Sequence, residues 1–168
     1  ADGAASPSGL AADCGACSAG SFAIAGAFAC TTCAGGRYAD GASATECAPC
    51  GAGRYSTAEG ADDASTCVRC DAGSAYGGEG AADASACETC DAGRYSSADG
   101  ATCDACDAGS AQPDPGQSSC DLCDPGHVAG SPGQSTCDPC DPGEFAPELG
   151  MVSCLTCAAG RYSDGAAG

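Results

Sequence analysis

Residues 47–70 read CAPCGAGRYSTAEGADDASTCVRC. The stretch opens and closes on Cys-x-x-Cys, turns on glycine, and offers a single aromatic ring, Tyr55, to any core. Its cysteines, rather than its apolar residues, have to hold it. The surrounding chain repeats the phrase: Cys-x-x-Cys pairs begin at residues 14, 30, 47, 67, 87, 103, 120, 137 and 154, in steps of 16 to 20. A period of this length marks an array of small supersecondary units.

Composition points the same way. The 168 residues include 18 Cys and 27 Gly, but Leu, Ile, Val and Phe together number only 11. Each large apolar side chain contributes about 1.5–3 kcal/mol on burial, so a single globular core is excluded. Such a chain stays disordered unless covalent links offset its ordering entropy, and cysteine at this density supplies them. The most apolar run, FAIAGAF at residues 22–28, is too short to cross a bilayer. With no charged leader before it, the segment is expected to be secreted, extracellular or at the cell surface, with no membrane span.

The net charge of −18 disfavours nucleic acid and anionic membranes as partners, and it predicts mutual repulsion that salt or divalent cations relax. All five basic residues are Arg, and Lys and Asn are missing, which suits a GC-rich genome. Without Asn there is no N-glycosylation acceptor, so O-linked glycans on Ser, Thr or modified Pro are the ones to expect, with Ser6-Pro7 and Ser131-Pro132 as candidates.

Within each period the second Cys is followed by x-x-Gly, nine times in nine, from Gly20 to Gly160. Two residues beyond that Gly stands an aromatic slot holding Phe22, Tyr38, Tyr55, Tyr95, Phe145 and Tyr162. Module four has Ala75 there with Tyr76 one place late, module six has Ala111 and module seven Val128; these three are expected to pack least well. Asp-Ala-Gly and Asp-Pro-Gly, as at Asp71 and Asp124, are turn chemistry, because Pro presets φ and Gly accepts positive φ. A second Gly, from Gly41 to Gly150, lies before the next Cys pair, as a short irregular β-hairpin requires. A module that touches only its neighbours gives a quasi-one-dimensional rod.

Pairs separated by 12 to 16 residues also match a four-thiolate zinc site. Zinc would consume pairs two at a time and make alternate intervals differ, whereas one Gly-x-aromatic phrase follows most pairs and nine is odd. Disulfides are the favoured reading and zinc the alternative. Thioredoxin-like redox chemistry needs a helix N-terminus beside its thiolate, and no helical period exists here.

The phrase Cys-x2-Gly-x-[Tyr/Phe]-[Ser/Ala] followed by Cys-x2-Cys, over residues 14–162, resembles the ephrin-receptor-like cysteine-rich repeats and the opening single-disulfide module of tumour necrosis factor receptor domains. The resemblance implies the pairs Cys17–Cys30, Cys33–Cys47, Cys50–Cys67, Cys70–Cys87, Cys90–Cys103, Cys106–Cys120, Cys123–Cys137 and Cys140–Cys154. From the residues alone, a crossed first-to-third, second-to-fourth scheme stays open. The later cysteines that give the receptor family its crossed modules and ligand-binding faces do not occur here. The expected fold is therefore a small disulfide-rich repeat: tandem short β-hairpin modules stacked into an elongated rod, with little helix. Each bridge closes a loop of about 14 residues, worth roughly 3 kcal/mol in the chain-entropy model, and an aromatic ring packed over a bridge adds to that.

In this scheme residues 1–16 are the tail of a preceding module and a lead-in, 17–156 form eight closed modules, and 157–168 begin an unclosed ninth. Cys14 and Cys157 then lack local partners and become inter-module or inter-subunit cysteines, joining copies head to tail or continuing into further repeats.

Little invites a catalytic reading. His127 is the only imidazole, at the place Arg takes in the Gly-Arg-Tyr modules, and reads as an exposed turn residue. Asp62 and Asp63 are adjacent but lie in no calcium-loop pattern. Arg37, Arg54, Arg94 and Arg161 each precede Tyr, and so are placed to meet a neighbouring Asp, to lie over a ring or simply to face water. No catalytic, cofactor or metal site is expected, and no enzyme. The favoured function is an extracellular structural protein: a disulfide-stapled rod or filament such as a fibre, a mastigoneme-like flagellar hair or a surface-coat element of a microbial eukaryote. The alternative is the stalk or ligand-binding ectodomain of a cell-surface receptor or adhesin, with modules four and six as the places where a ligand would sit. The expected partners are other copies of the chain or further repeats of it.

Overall fold

In the computed structural model, which describes residues 15–97 and 99–163, each module starts with a turn. Across Asp71-Ala72-Gly73-Ser74 the Ser74 N–H donates to the Asp71 carbonyl at 3.0 Å, and Gly73 sits at φ +86°. A hydrogen-bonded turn with positive φ at its third residue is type II, and Pro suits its second position. Module seven uses that option, in Asp124-Pro125-Gly126-His127.

The turn releases the chain into a two-residue strand. β1 (Ser21–Phe22) runs antiparallel to β2 (Thr31–Thr32), with Ser21 opposite Thr32 and Phe22 opposite Thr31. Seven more such hairpins follow, from β3 (Arg37–Tyr38) with β4 (Ala48–Pro49) to β15 (Glu144–Phe145) with β16 (Leu155–Thr156). In every hairpin the return strand is the dipeptide inside a Cys-x-x-Cys. That placement explains the two-residue spacing. Residues three apart on a strand point to opposite faces, so Cys30 turns back to close one module while Cys33 turns forward to open the next.

Among the described residues the helical content is two 3-10 turns, Ala64–Thr66 and Ala84–Ala86, in the two loops whose cysteines are 17 apart rather than 13 or 14. Asp63 and Asp83 cap them, each accepting the N–H of the Ser two residues on.

Backbone hydrogen bonds join the modules. The Gly36 N–H donates to the Ser56 carbonyl of the next module at 2.7 Å, and the Ser56 N–H donates onward to the Ala81 carbonyl at 3.0 Å. The Cys50 N–H returns to the Gly36 carbonyl at 2.8 Å, and the Gly80 N–H to the Cys50 carbonyl at 2.8 Å. The same ladder recurs along the array, for example at Gly109 to Ala129 (2.8 Å), Ala129 to Met151 (3.2 Å) and Cys123 to Gly109 (2.9 Å). The residue at the rung is small and buried: Ala39, Ser56, Ser96, Ala129 and Ala146 are all 5% exposed or less. Two rungs carry larger residues, Tyr76 and Gln112, and keep the ladder bond, from the Gly53 N–H and the Gly93 N–H respectively, each at 2.7 Å.

Contact does not stop at the adjacent module, as a strictly nearest-neighbour rod requires. Gly20 of module one, at φ +83°, lies so close to Gly60 of module three that a Cβ on it would overlap the Gly60 carbonyl oxygen. Gly36 meets Gly80 and Gly109 meets Gly150 in the same way, each pair two modules apart. The absence of a side chain at the first glycine of each pair is what lets alternate modules touch.

The interior is sulfur and methyl groups. Cys33 and Cys106 are completely buried, and Cys50, Cys90 and Cys123 are 1% exposed, with Ala39, Ala61, Ala81 and Ala129 between them.

Candidate functional site: the disulfide seam and its open slots

Eight bridges run along the seam: Cys17–Cys30, Cys33–Cys47, Cys50–Cys67, Cys70–Cys87, Cys90–Cys103, Cys106–Cys120, Cys123–Cys137 and Cys140–Cys154. Their Cα–Cα distances of 5.5–5.8 Å are those of ordinary disulfides. Cys157 is unbonded and half-buried, while Cys14 falls outside the described residues. Among the described residues no cluster of His, Cys, Asp and Glu is fit to hold a metal ion.

The aromatic slot serves the next module rather than its own. Phe22 packs against Cys33, Cys47 and Ala39, all of module two, and its backbone makes a parallel bridge with Ala44 there. Tyr38 and Tyr55 make the corresponding bridges to Ala61 and Ala81. Phe22, Tyr38, Tyr55 and Tyr95 are half-buried, whereas Phe145 is 39% exposed and Tyr162 stands 92% in solvent.

The three departing modules are not uniformly loose. In module six both residues of the strand Ser110–Ala111 are buried, at 6% and 4% exposed, whereas the matching Ser74–Ala75 of module four is half-buried. Gln112 stands on that rung where most modules have Ser or Ala; its amide nitrogen donates to the Ser119 carbonyl at 2.9 Å and its oxygen accepts from the Asp114 N–H at 3.1 Å. In module four the late Tyr76 occupies the rung, and Gly100 then donates to Ser97 within its own module rather than to Cys70.

What the missing rings leave is a cleft. Beside Ala111 a cleft of about 320 Å³ opens onto both halves of the Cys123–Cys137 bridge, flanked by Leu122 and His127. Beside Ala75 the corresponding cleft, about 490 Å³, opens onto both halves of Cys90–Cys103 and is flanked by Thr89 and Arg94. These are the positions that the Phe22 ring holds over Cys33–Cys47 in module two. Where Tyr95 fills the slot, the ring borders a hollow of about 290 Å³ that reaches Cys120 but not Cys106.

The residue before the slot has its own geometry. Arg37, Arg54 and Arg94 each donate from one guanidinium nitrogen to the carbonyl of the cysteine that closes their module, Cys47, Cys67 and Cys103, at 2.8–3.1 Å. They thus clamp the loop end, a role not anticipated from their spacing, since a carbonyl acceptor leaves no mark in the sequence. Arg161 is exposed. His127, expected to be an exposed turn residue, is half-buried instead, and its Nδ1 is buried with no hydrogen-bond partner. It stands on the strand His127–Val128, opposite Pro139 of the return strand.

The Asp63 carboxyl is held low by the Ser65 N–H and then the Ser65 hydroxyl, and that of Asp83 by the Ser85 hydroxyl and then its N–H. Both are fully exposed and serve the loop. No helix among the described residues is long and apolar enough to cross a membrane.

A family model described as tyrosine-protein kinase ephrin type A/B receptor-like matches residues 20–67 and 126–167, more than half of the chain. No curated protein matches the chain.

Proposed function

The chain belongs to the ephrin type A/B receptor-like family of cysteine-rich repeats, and from that premise we propose that it is an extracellular, non-catalytic structural array. Its finer role on this reading is to form a rod or filament, such as a flagellar hair, a fibre or a surface-coat element. The observation that carries the reading is the unbroken backbone ladder from Gly20 to Gly143, in which every module both donates to and accepts from its neighbour. A ladder of backbone groups is sequence-tolerant and extends by repetition. On the same reading Cys157 bonds outside the described residues, either to Cys14 of a second copy or to a cysteine of a further repeat.

Electron microscopy of the native material, together with disulfide mapping under non-reducing conditions, tests this. Filaments of one repeating unit, with Cys157 in an intermolecular or inter-repeat peptide, are the expected result. Short isolated rods on a membrane anchor would sink the filament.

A second reading, a ligand-binding stalk, is favoured by one observation only: the clefts at Ala75 and Ala111, which border the Cys90–Cys103 and Cys123–Cys137 bridges where a ring is missing from the slot.

A further inference from the structure

We propose that the two ends of the array are the halves of one interface, through which a second copy of the chain docks the loop of its module one onto the turn at Gly160. The inference rests on the rod reading above and adds to it the docking surface and the register.

The inner junctions define what the far end offers. At eight successive junctions the turn glycine donates its N–H to the residue just past the next module's slot, from Gly20 to Ala39 (2.9 Å) through to Gly143 to Ser163 (2.9 Å). The next donor in this series is Gly160. The seven turn glycines from Gly20 to Gly126 are buried, Gly143 is half-buried and Gly160 is exposed. A Cβ on Gly143 or Gly160 would meet nothing within 4 Å, whereas one on Gly109 would overlap the Gly150 carbonyl two modules on. Tyr162, in the slot beyond Gly160, is 92% exposed.

The near end offers the other half. In modules two to four a left-handed loop residue donates to the opening cysteine of the module before, from Ser43 to Cys17 (2.8 Å), Gly60 to Cys33 (2.7 Å) and Gly80 to Cys50 (2.8 Å). The alanine after it bridges the preceding slot, Ala44 with Phe22, Ala61 with Tyr38 and Ala81 with Tyr55. In module one these positions are Gly26, at φ +79°, and Ala27. Nothing lies within 4 Å of a Cβ on Gly26, and Ala27 is exposed where Ala61 and Ala81 are buried. A second copy in the register of the array brings its Ala23 carbonyl to the Gly160 N–H, its Ala27 beside Tyr162 and its Gly26 N–H to the Cys157 carbonyl. Such a contact joins unlike surfaces and repeats without closing.

Charge selects these ends over the flanks, independently of the ladder. On a chain with 23 Asp and Glu, the two longest stretches free of carboxylates are residues 14–39 and 149–163. They are the segments that would meet. Elsewhere the carboxylates recur along every module and oppose side-by-side approach of two copies. Apolar surface is placed to match: Ile24 and Phe28 on the module-one loop are 66% and 107% exposed, and Tyr162 stands at the other end. A ring buried there carries a large apolar area.

The test takes the oxidised chain carrying Cys14→Ser and Cys157→Ser, so that no bridge between copies forms at these positions, and follows it by sedimentation velocity over a concentration series. The expected result is end-to-end growth with concentration, and, in a mixture of isotope-labelled and unlabelled chains, nuclear Overhauser contacts between the Tyr162 ring of one copy and the Ala27 methyl of another. Ala27→Asp blocks one end and Tyr162→Asp the other. Each variant alone should associate at least tenfold more weakly, while the two mixed should form a one-to-one dimer and nothing larger. Both positions are exposed, and non-reducing mass mapping of the eight bridges checks that each variant is folded. The proposal is overturned by a chain that stays monomeric, as it would were these faces reserved for covalently linked repeats, by variants that associate as before, or by a mixture that does not dimerise. Native filaments of a chain that fails this test would sink the docking and leave the rod reading standing; docking without native filaments would sink the filament and leave the interface.

Discussion

Tyr95 and Ala111 hold the same position in consecutive modules, and their surroundings differ only in side chains. The backbone is unchanged: the Gly93 N–H meets the Gln112 carbonyl at 2.7 Å, and the Gly109 N–H meets the Ala129 carbonyl at 2.8 Å. Beside Tyr95 a hollow reaches one half-cystine, Cys120; beside Ala111 the cleft reaches both Cys123 and Cys137. The backbone therefore assembles the array, and the slot can be filled or left open without unmaking it. Assembly of the array and filling of the slot are separable properties of one repeat.

The largest test concerns what the two junctions share. Gly93→Ala and Gly109→Ala each place a Cβ against the carbonyl two modules on, at Gly133 and Gly150, with φ at +79° and +89°. Each should cost about 3 kcal/mol or more, seen as lost amide-exchange protection on both sides of the junction. If one is harmless, the junctions are not equivalent and the comparison fails.

The slot itself comes next. Tyr95→Ala should turn the filled junction into an open one, at about 2 kcal/mol for a half-buried ring, and should speed reduction of Cys106–Cys120 by limiting dithiothreitol. Conversely, Ala111→Tyr should stabilise its junction by about 1 kcal/mol as a cavity-filling change. The amide of Cys123, bonded to the Gly109 carbonyl at 2.9 Å, reports it by slower exchange. A destabilised A111Y would show that the cleft is not shaped for a ring.

Smaller still is the loop clamp. Arg94→Ala removes the hydrogen bond to Cys103 and should cost about 1 kcal/mol, whereas His127→Ala removes no hydrogen bond and should cost less. Exchange at the two loop ends compares them directly.

The smallest effect is one of pH, and it falls on neither junction. A folded carboxyl held below its ordinary value stabilises above that value, about 3.9, and the stabilisation is lost as pH falls through the lowered folded value. Acidification below about pH 4 should therefore loosen the loops of Asp63 and Asp83 in modules three and four before those around Tyr95 and Ala111. Proton-dependent amide exchange that begins elsewhere would contradict this.

Much of the local geometry was legible because its causes are local. Asp-x-Gly followed by a short strand is turn chemistry that the residues themselves state, and Gly73 and Gly126 have the positive φ it requires. The bridge pattern came from the resemblance, since spacing left a crossed scheme open. The return strands were not legible, because Thr31-Thr32 or Val68-Arg69 is too short to show alternation. Nor was the reason for the small residue after each ring: Ser56 is small because the turns of its neighbours close over its backbone. The Gly20 to Gly60 approach joins residues of different modules through space, which no local pattern records. His127 misled because a turn-and-strand phrase does not record how much of the imidazole the fold covers.

The bridges also define how the molecule bears load. A pull on the array travels from Cys17 across the sulfurs to Cys30, along Thr31-Thr32 to Cys33, and so on to Cys157, without passing through any loop. Each period then offers three backbone steps, about 10 Å fully extended, plus the 5.5–5.8 Å across its bridge. The same 17-residue period without its bridge would pay out to about 60 Å. Under tension the oxidised chain is a short, nearly inextensible tether, and a reducing environment would convert it into one roughly four times as long.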